Sequence, residues 1–150
     1  MKGERPISAA AAAAVLAILT LVACDSDNAT GLPDGAVEVV LAFDGFPEDT
    51  MRIAITDTSA IRMARDFVST RQGAKLPIGR IVRGSGIDHR YPYRYEPASV
   101  RFADFAMEVC DGAPMRTDTA VVEFMRGASG ETNPTSATWC PWAAYPIAVR

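Results

Sequence analysis

The chain has 150 residues, with 15 basic and 18 acidic side chains and a formal net charge of −3 at pH 7. A mildly acidic chain offers no electrostatic reason to bind nucleic acid, so nucleic acid is not expected as a partner. Without the N-terminal segments described next, residues 36–150 remain. That length suffices for one domain with a hydrophobic core and is too short for two.

The first 23 residues have the organisation of a secretory signal peptide. Lys2 and Arg5 precede an uncharged run from Ile7 to Ala23 that consists mostly of Ala, Leu, Ile and Val. A basic head, an apolar core and small residues before a cleavage point are typical of such signals. The run has 17 residues, eight of them Ala, whereas a membrane-spanning helix needs about 20 predominantly apolar residues. We therefore predict a cleaved signal over residues 1–23.

The tetrapeptide Leu21-Val22-Ala23-Cys24 resembles the lipobox of bacterial lipoproteins. In that class a diacylglycerol is attached to the cysteine thiol and the peptide is cut just before the cysteine. The resemblance implies that Cys24 is lipidated, that membrane lipid is a partner through this residue, and that the protein is exported and anchored in the cell envelope. Two or more acyl chains make such an anchor durable. The alternative is a plain secretory signal cut at another site.

Beyond the cysteine, the chain divides into a tether and a domain. Residues 24–35 are polar and rich in turn formers, which predicts a flexible tether, and residues 36–150 form the domain. Alternating apolar residues over Val37–Phe43 and again over Met51–Ile55 predict two strands. The turn formers in Asp44–Asp49 connect them as a hairpin.

A helix and a strand follow the hairpin. Thr56–Ser59 supplies candidate N-caps, and Gly73 is placed to end the helix. The apolar stripe of this helix consists of Ile61, Ala64, Phe67 and Val68. The apolar residues after Pro77 predict a strand, which Gly84-Ser85-Gly86 interrupts before an aromatic-rich loop.

The C-terminal third is less regular. Residues 100–109 fit a helix or a strand, and we favour a long strand with a bulge near Ala103-Asp104, where the alternation changes phase. Asp118–Arg126 has the apolar spacing of a short helix, and residues 127–138 are rich in loop formers. These elements predict an α+β fold: a small single domain with an antiparallel sheet of four to six strands, two short helices and one disulfide.

That disulfide joins the two cysteines that remain after Cys24, which are Cys110 and Cys140. An even pair in an exported domain indicates a disulfide. A metal site would require more ligands than two cysteines, and a redox pair more often has Cys-x-x-Cys spacing. We therefore predict a structural disulfide and no metal site. In the chain-entropy model, closing this loop contributes on the order of 3–4 kcal/mol.

Two sequence blocks surround the cysteines, Glu108-Val109-Cys110-Asp111 and Trp139-Cys140-Pro141-Trp142. They are the most specific part of a pattern over roughly residues 51–145 that resembles a small domain first named for the N-terminal part of a slime-mould calmodulin-binding protein. The resemblance supports the fold and the disulfide and implies no established activity. Calmodulin is not expected as a partner, because that property belongs to a larger eukaryotic protein. Members carry a Tyr-His or Trp-His pair just before an Asp-Pro turn, where this chain has Tyr93-Arg94-Tyr95-Glu96-Pro97, so no imidazole role is expected there.

The sequence contains no strong catalytic motif. The sole histidine, His89, has no paired nucleophile motif and is interpreted as a solvent-exposed loop residue. Asp104 and Glu108 would share a strand face about 13 Å apart, farther than the ~9.5 Å limit for paired glycosidase carboxylates. With Asp111, they are interpreted chiefly as ion-pair partners of nearby arginines. The acidic turn Asp44–Asp49 fits no EF-hand spacing. No cofactor is predicted.

The aromatic-arginine cluster is the best candidate recognition surface, because aromatic side chains offer contact area at low entropic cost. Its members are Tyr91, Tyr93, Arg94, Tyr95, Trp139 and Trp142. The leading hypothesis is a membrane-anchored, non-catalytic module that binds an unknown protein or envelope component. The alternative is a small hydrolase or metal-dependent enzyme that uses the acids near Asp104.

Overall fold

The computed structural model describes residues 31–150, apart from the side chain of Glu108. Seven strands and two α-helices alternate along this part of the chain. They are β1 (Val37–Phe43), β2 (Phe46–Ile55), α1 (Thr58–Thr70), β3 (Leu76–Arg83), β4 (Tyr93–Tyr95), β5 (Arg101–Ala103), α2 (Asp118–Ser129), β6 (Ser136–Trp139) and β7 (Ala144–Val149). The predicted small α+β domain with two helices and antiparallel strands is confirmed, but its seven strands form two sheets rather than one sheet of four to six strands.

The strands form two antiparallel sheets. In the first, β1 lies between β2 and β7. In the second, β3 is central and pairs with β4, β5 and β6. Because Ile81 of β3 is opposite both Tyr95 and Ala137, β4 and β6 flank β3 on opposite sides. Consequently β2 and β4 are both edge strands.

Alternation along β1 and β2 builds half of the core. The inward-facing side chains are almost fully buried, and they consist of Val39, Leu41, Phe43, Met51, Ile53 and Ile55. The predicted hairpin is confirmed, with a tight turn at Asp44-Gly45 in place of a six-residue loop. Strand β2 begins at Phe46, earlier than the apolar alternation indicates, because its first residues pair with β1 through the backbone.

Helix α1 packs its apolar face on β5 and β7. The Asp57 carboxylate accepts the Ala60 N–H at 2.7 Å and caps the helix N-terminus. The predicted C-terminus is wrong: Arg71, not Gly73, takes the left-handed conformation, with φ 58°, and its N–H bonds the Phe67 carbonyl at 2.7 Å. Gly73, with φ 92°, serves the turn that follows.

The predicted long strand over residues 100–109 is also wrong. Only Arg101–Ala103 pairs with β3, and Ala103 is already opposite Leu76, the first residue of β3. The partner strand therefore ends, and the chain turns away into a 3₁₀ turn at Glu108–Cys110. Residues 127–138 are not all loop, because α2 extends to Ser129 and β6 starts at Ser136.

The disulfide fixes this region to β6. Cys110 and Cys140 are bonded, with their Cα atoms 5.2 Å apart, and the Cys140 N–H donates to the Cys110 carbonyl at 2.8 Å. The predicted pairing is confirmed. Cys24 and the predicted signal peptide lie outside the described residues, as does the tether before Gly31. Within residues 31–150, no helix is long and apolar enough to cross a membrane.

Candidate functional site

Most of the predicted aromatic recognition surface is core. Tyr91, Tyr93 and Trp139 are completely buried and Tyr95 is 2% exposed. Tyr93 and Tyr95 are buried because side chains alternate along β4, which directs these two inward and Arg94 outward. The Trp139 ring lies between them, with centroid distances of 5.2 Å to Tyr93 and 5.4 Å to Tyr95. These four aromatic side chains therefore pack in the core and do not form an exposed recognition surface.

The tyrosine hydroxyls are engaged inside the protein. The Tyr91 hydroxyl donates to the Thr50 carbonyl at 3.0 Å, and the Tyr93 hydroxyl accepts the Met115 N–H at 3.5 Å. Burial raises the pKa of Tyr93 and of Tyr95 well above the ordinary value of 10.0. These phenols stay protonated at neutral pH and act as packing groups with a polar end.

Arg94 and Trp142 are the two predicted surface residues that are exposed, and they belong to different surfaces. Trp142, 44% exposed, lines a hollow of about 300 Å³ together with Phe105. Arg94 lines a different, larger cleft. The structure therefore separates Trp142 from Arg94, and Arg94 lines its cleft together with Tyr93 and Tyr95.

That cleft, of about 480 Å³, is the candidate functional site. It lies between the edge strands of the two sheets: Met51–Ala54 of β2 form one wall and Tyr93–Tyr95 of β4 the other. The loop Ser85–Asp88 closes one end of the cleft. Gly31, Pro33 and Pro97 complete its lining.

Asp88 attaches the loop Ser85–Asp88 to strand β2 at one end of the cleft. This carboxylate is 4% exposed and reaches across to β2, where it accepts the Arg52 backbone N–H at 3.0 Å. It also accepts the Arg90 backbone N–H at 3.2 Å and forms an ion pair with the Arg90 guanidinium at 2.7 Å. Arg90 in turn donates to the Thr50 carbonyl at 2.7 Å. Together these bonds attach the loop to the edge of β2.

The electrostatic balance at Asp88 favours its charged form. Desolvation by burial raises the pKa, but hydrogen bonds from the Arg90 side chain and from the Arg52 and Arg90 backbone outweigh that effect. The net result is a pKa below the ordinary value of 3.8. A carboxylate that is already satisfied in this way serves as a structural anion rather than as a proton donor or acceptor.

A second buried carboxylate, Glu38, binds the side chain of Arg52, whereas Asp88 binds its backbone N–H. Glu38 is 5% exposed and pairs with Arg52 at 2.7 Å and with Arg150 at 3.3 Å. The hydrogen bond that the Arg52 guanidinium donates to the Glu38 carboxylate is the main cause that raises the pKa of Arg52. The Arg52 Nε is buried and has no hydrogen-bond partner in the described part of the chain. Arg52 is thus a fixed positive charge at the wall of the cleft.

Arg94 supplies the second positive charge. Its Nη1 donates to the Arg83 and Gly84 carbonyls, each at 3.3 Å. Among the side chains that the structure describes, no carboxylate pairs with it. Gly86 packs directly on it, since a Cβ at Gly86 would lie 2.8 Å from the Arg94 Cβ. Arg94 is therefore held in place by carbonyl groups and packing, with its charge uncompensated.

The acids proposed for the alternative enzymatic site are not brought together on a strand. Asp104 is exposed beyond the end of β5, and Asp111 accepts the Trp142 N–H at 2.7 Å. Within the described residues Asp104 forms no ion pair with an arginine, and Arg80 pairs with Glu96 instead. His89 is exposed, as expected. Within residues 31–150 no group of three or more His, Cys, Asp or Glu side chains is arranged to hold a metal.

The residues that shape the cleft, above all Glu38, Arg52 and Asp88, are not among the site residues predicted from the sequence. Glu38 and Arg52 occupy outward positions of alternating strands, which ordinarily indicate solvent exposure. Asp88 offered one local signal: an Asp two residues before an arginine whose N–H it accepts is an Asx turn. Its contact with Arg52, 36 residues away, had no sequence signal.

A family comparison agrees with this architecture. The family model of the BP-74 N-terminal domain matches residues 37–149, from the first residue of β1 to the last residue of β7. The chain belongs to this family. The match confirms the predicted resemblance, and it indicates no catalytic family. No curated protein and no solved structure matches the chain significantly.

Proposed function

We propose that this protein is an exported lipoprotein, anchored in the cell envelope through lipid on Cys24, whose single domain is a non-catalytic binding module. The observation that carries the binding role is the cleft between β2 and β4. It is lined by one guanidinium without a carboxylate partner, Arg94, and by a second that is fixed, Arg52. Cationic groups held by the fold are suited to recognising an anionic group on a ligand.

The anchoring part of the proposal is supported by the N-terminal sequence, with its basic head, apolar run and lipobox-like Leu21–Cys24. Gly31 and Pro33 line the cleft. The segment that leads to Cys24 therefore begins at the rim of the candidate site.

The non-catalytic part is supported by the chemistry of the lining. Its carboxylate, Asp88, is saturated by four hydrogen bonds. Ser85 lies there without a histidine among the lining residues to activate it. The enzymatic alternative depended on acids near Asp104 that share a strand face, and β5 ends before that face forms.

The anchor is tested by metabolic labelling with a tagged fatty acid. Wild-type protein should incorporate label, and Cys24→Ser should lose it and accumulate as precursor or soluble product. Label that persists on Cys24→Ser would refute the anchor.

The binding role is tested by capture from detergent-solubilised envelopes on immobilised wild-type protein, Arg94→Ala and Arg65→Ala. Arg65 is an exposed arginine on α1 and serves as the matched control. Proteins or envelope components retained by wild-type and Arg65→Ala but lost with Arg94→Ala are expected. Identical retention by all three variants would contradict the assignment of the cleft.

A further inference from the structure

The edge of β2 inside the cleft exposes backbone groups that no other strand uses. The Arg52 N–H bonds Asp88 and the Thr56 N–H bonds the Pro97 carbonyl at 3.2 Å, so the even-numbered residues of β2 direct their backbone away from β1. Ala54 lies between them and follows the same alternation. Its N–H and carbonyl, and the Arg52 carbonyl, have no hydrogen-bond partner within residues 31–150.

These free groups form a short window with blocked ends. Asp88 occupies the position that a neighbouring strand would take beside the Arg52 N–H, and Pro97 does the same beside the Thr56 N–H. Ala54 is only 8% exposed, and buried backbone groups are normally paired with protein or water. The window therefore has the size and polarity to pair with an extended segment of about three residues.

The opposite wall presents the same kind of edge. The Glu96 N–H bonds the Arg80 carbonyl at 2.8 Å and the Gly84 N–H bonds the Pro92 carbonyl at 2.9 Å, so Arg94 directs its backbone toward β3. By alternation, Tyr93 and Tyr95 direct their N–H and carbonyl groups away from β3. Both residues line the cleft, which therefore lies between two unpaired strand edges.

The charges in the cleft define the side chain that such a segment carries. The Asp88 charge is already compensated by Arg90, whereas the Arg94 guanidinium bonds only carbonyl groups, through one of its three nitrogens. Its remaining N–H groups are free to hold a carboxylate with two parallel hydrogen bonds. The cleft thus favours an acidic side chain over a neutral or basic one.

We propose that the cleft binds an extended, acidic polypeptide segment of another protein as an additional strand along β2. This inference rests on the proposed binding function and specifies its ligand class. The main-chain hydrogen bonds of Ala54 and Arg52 supply the pairing, as in other cases of strand addition to a sheet edge. Arg94 supplies the preference for a carboxylate.

The test uses fluorescently labelled pentapeptide pools with Val, Ile and Thr at the flanking positions and a fixed central residue. Fluorescence anisotropy measures their affinity for the full chain. We expect the pool with central Glu to bind at least tenfold more tightly than the pool with central Lys, since a hydrogen bond to a charged group contributes about that factor. Methylation of the peptide backbone nitrogens should abolish binding, because it removes the donors that pair with Arg52 and Ala54.

Two protein variants test the same contacts from the other side. Arg94→Ala should weaken binding of the Glu pool about tenfold, while Arg65→Ala leaves it unchanged. Ala54→Pro removes the free N–H without touching the pairing of β1, and proline is tolerated on strand edges. It should abolish peptide binding. If Ala54→Pro fails to fold, the methylated peptides provide the same test on the wild-type protein.

The possible results distinguish failure of the strand-addition proposal from failure of the proposed binding function. Binding that is equal for the Glu, Lys and methylated pools overturns the strand-addition proposal, as does no binding at all. If Arg94-dependent capture from envelopes persists in that case, the binding function stands and only the ligand class is wrong. If peptides bind only after Asp25 and Asp27 are changed to Asn, the occupant is the protein's own N-terminal segment, and the proposal of a partner segment is overturned.

Discussion

The carboxylate of Asp88 accepts the backbone N–H of Arg52 at 3.0 Å, although 36 residues separate them. Through this bond a loop of the second sheet blocks part of the edge of the first. An edge strand exposes donors and acceptors that invite pairing with other chains. Asp88 occupies one of these donors and so forms one boundary of the window at Ala54.

Asp88→Ala should lower the free energy of unfolding by about 2–3 kcal/mol. It leaves the Arg52 N–H unpaired and removes a bond to Arg90, whose contribution is reduced because the Arg90 side chain is 46% exposed. Urea unfolding monitored by tryptophan fluorescence measures the change. The exposed Asp104→Ala is the control and should stay within about 0.5 kcal/mol of wild type. Equal effects of the two variants would contradict the structural role of Asp88.

The stability conferred by Asp88 should depend on pH. Its pKa in the folded protein is below the ordinary value of 3.8, so folding favours the charged form. The contribution is complete well above pH 3.8 and is lost as the pH falls through that value toward the folded pKa. The difference in unfolding free energy between wild type and Asp88→Asn should therefore be largest near neutral pH and shrink below pH 3.8. A difference in unfolding free energy that grows on acidification would contradict a lowered pKa of Asp88 in the folded protein.

Two glycine substitutions should have opposite effects. A Cβ at Gly79 would lie 2.8 Å from the Tyr95 ring, which is held against Trp139, so Gly79→Ala should destabilise the protein by about 1–3 kcal/mol. Gly127 lies within α2 with nothing within 4 Å of its added Cβ. Gly127→Ala should stabilise the protein by about 0.5–1 kcal/mol, because alanine favours helix. Thermal unfolding of both variants measures these effects. A stability change of the same sign in the two variants would contradict the prediction.

Arg71→Gly should stabilise the end of α1. Arg71 adopts φ 58°, a conformation that costs a residue with a Cβ about 1–2 kcal/mol. Glycine avoids that cost but loses backbone entropy on folding and the weak 3.5 Å bond to the Pro146 carbonyl. The net gain should be about 0.5–1 kcal/mol in urea unfolding. Arg65→Gly, inside the same helix, should instead destabilise by about 1 kcal/mol. A loss of stability in Arg71→Gly would contradict this assignment of the helix terminus.

Removal of the disulfide should cost about 3–4 kcal/mol, because the bond closes a 30-residue loop. The double variant Cys110→Ser, Cys140→Ser tests this in urea unfolding. Non-reducing peptide mapping of the exported protein should recover a Cys110 peptide linked to a Cys140 peptide. Two free thiols in normally exported protein would refute the bond in the cell.

The sequence predicted those features that depend on local patterns. The hairpin of β1 and β2 follows from alternating apolar residues. Helix α1 follows from its apolar stripe and the candidate N-caps in Thr56–Ser59, of which the structure uses Asp57. The Cys110–Cys140 bond followed from an even cysteine count and the compartment. The sequence blocks around both cysteines predicted the domain family, which the family match confirms.

The aromatic segment shows where local pattern is insufficient. Tyr91, Tyr93 and Tyr95 follow a loop signal at Gly84-Ser85-Gly86 and look like an exposed cluster. Pairing of β4 with β3 converts them into core, because Tyr93 and Tyr95 then face Trp139 from the inner side of the sheet. The sequence contained the alternation Tyr-Arg-Tyr, but its partner strand was needed to decide which side is buried.

The sequence alone determined the composition, the cysteine pairing, the hairpin, the first helix and the family, because these depend on residue spacing within one segment or on motifs. Only the tertiary structure decided that β5 ends at Ala103, that Glu38 and Asp88 are buried, and that Arg94 lies in a cleft between two strand edges. Each of these depends on where a distant strand begins or stops. Such contacts are fixed by the packing of the two sheets, and a short segment of the sequence contains no information about that packing.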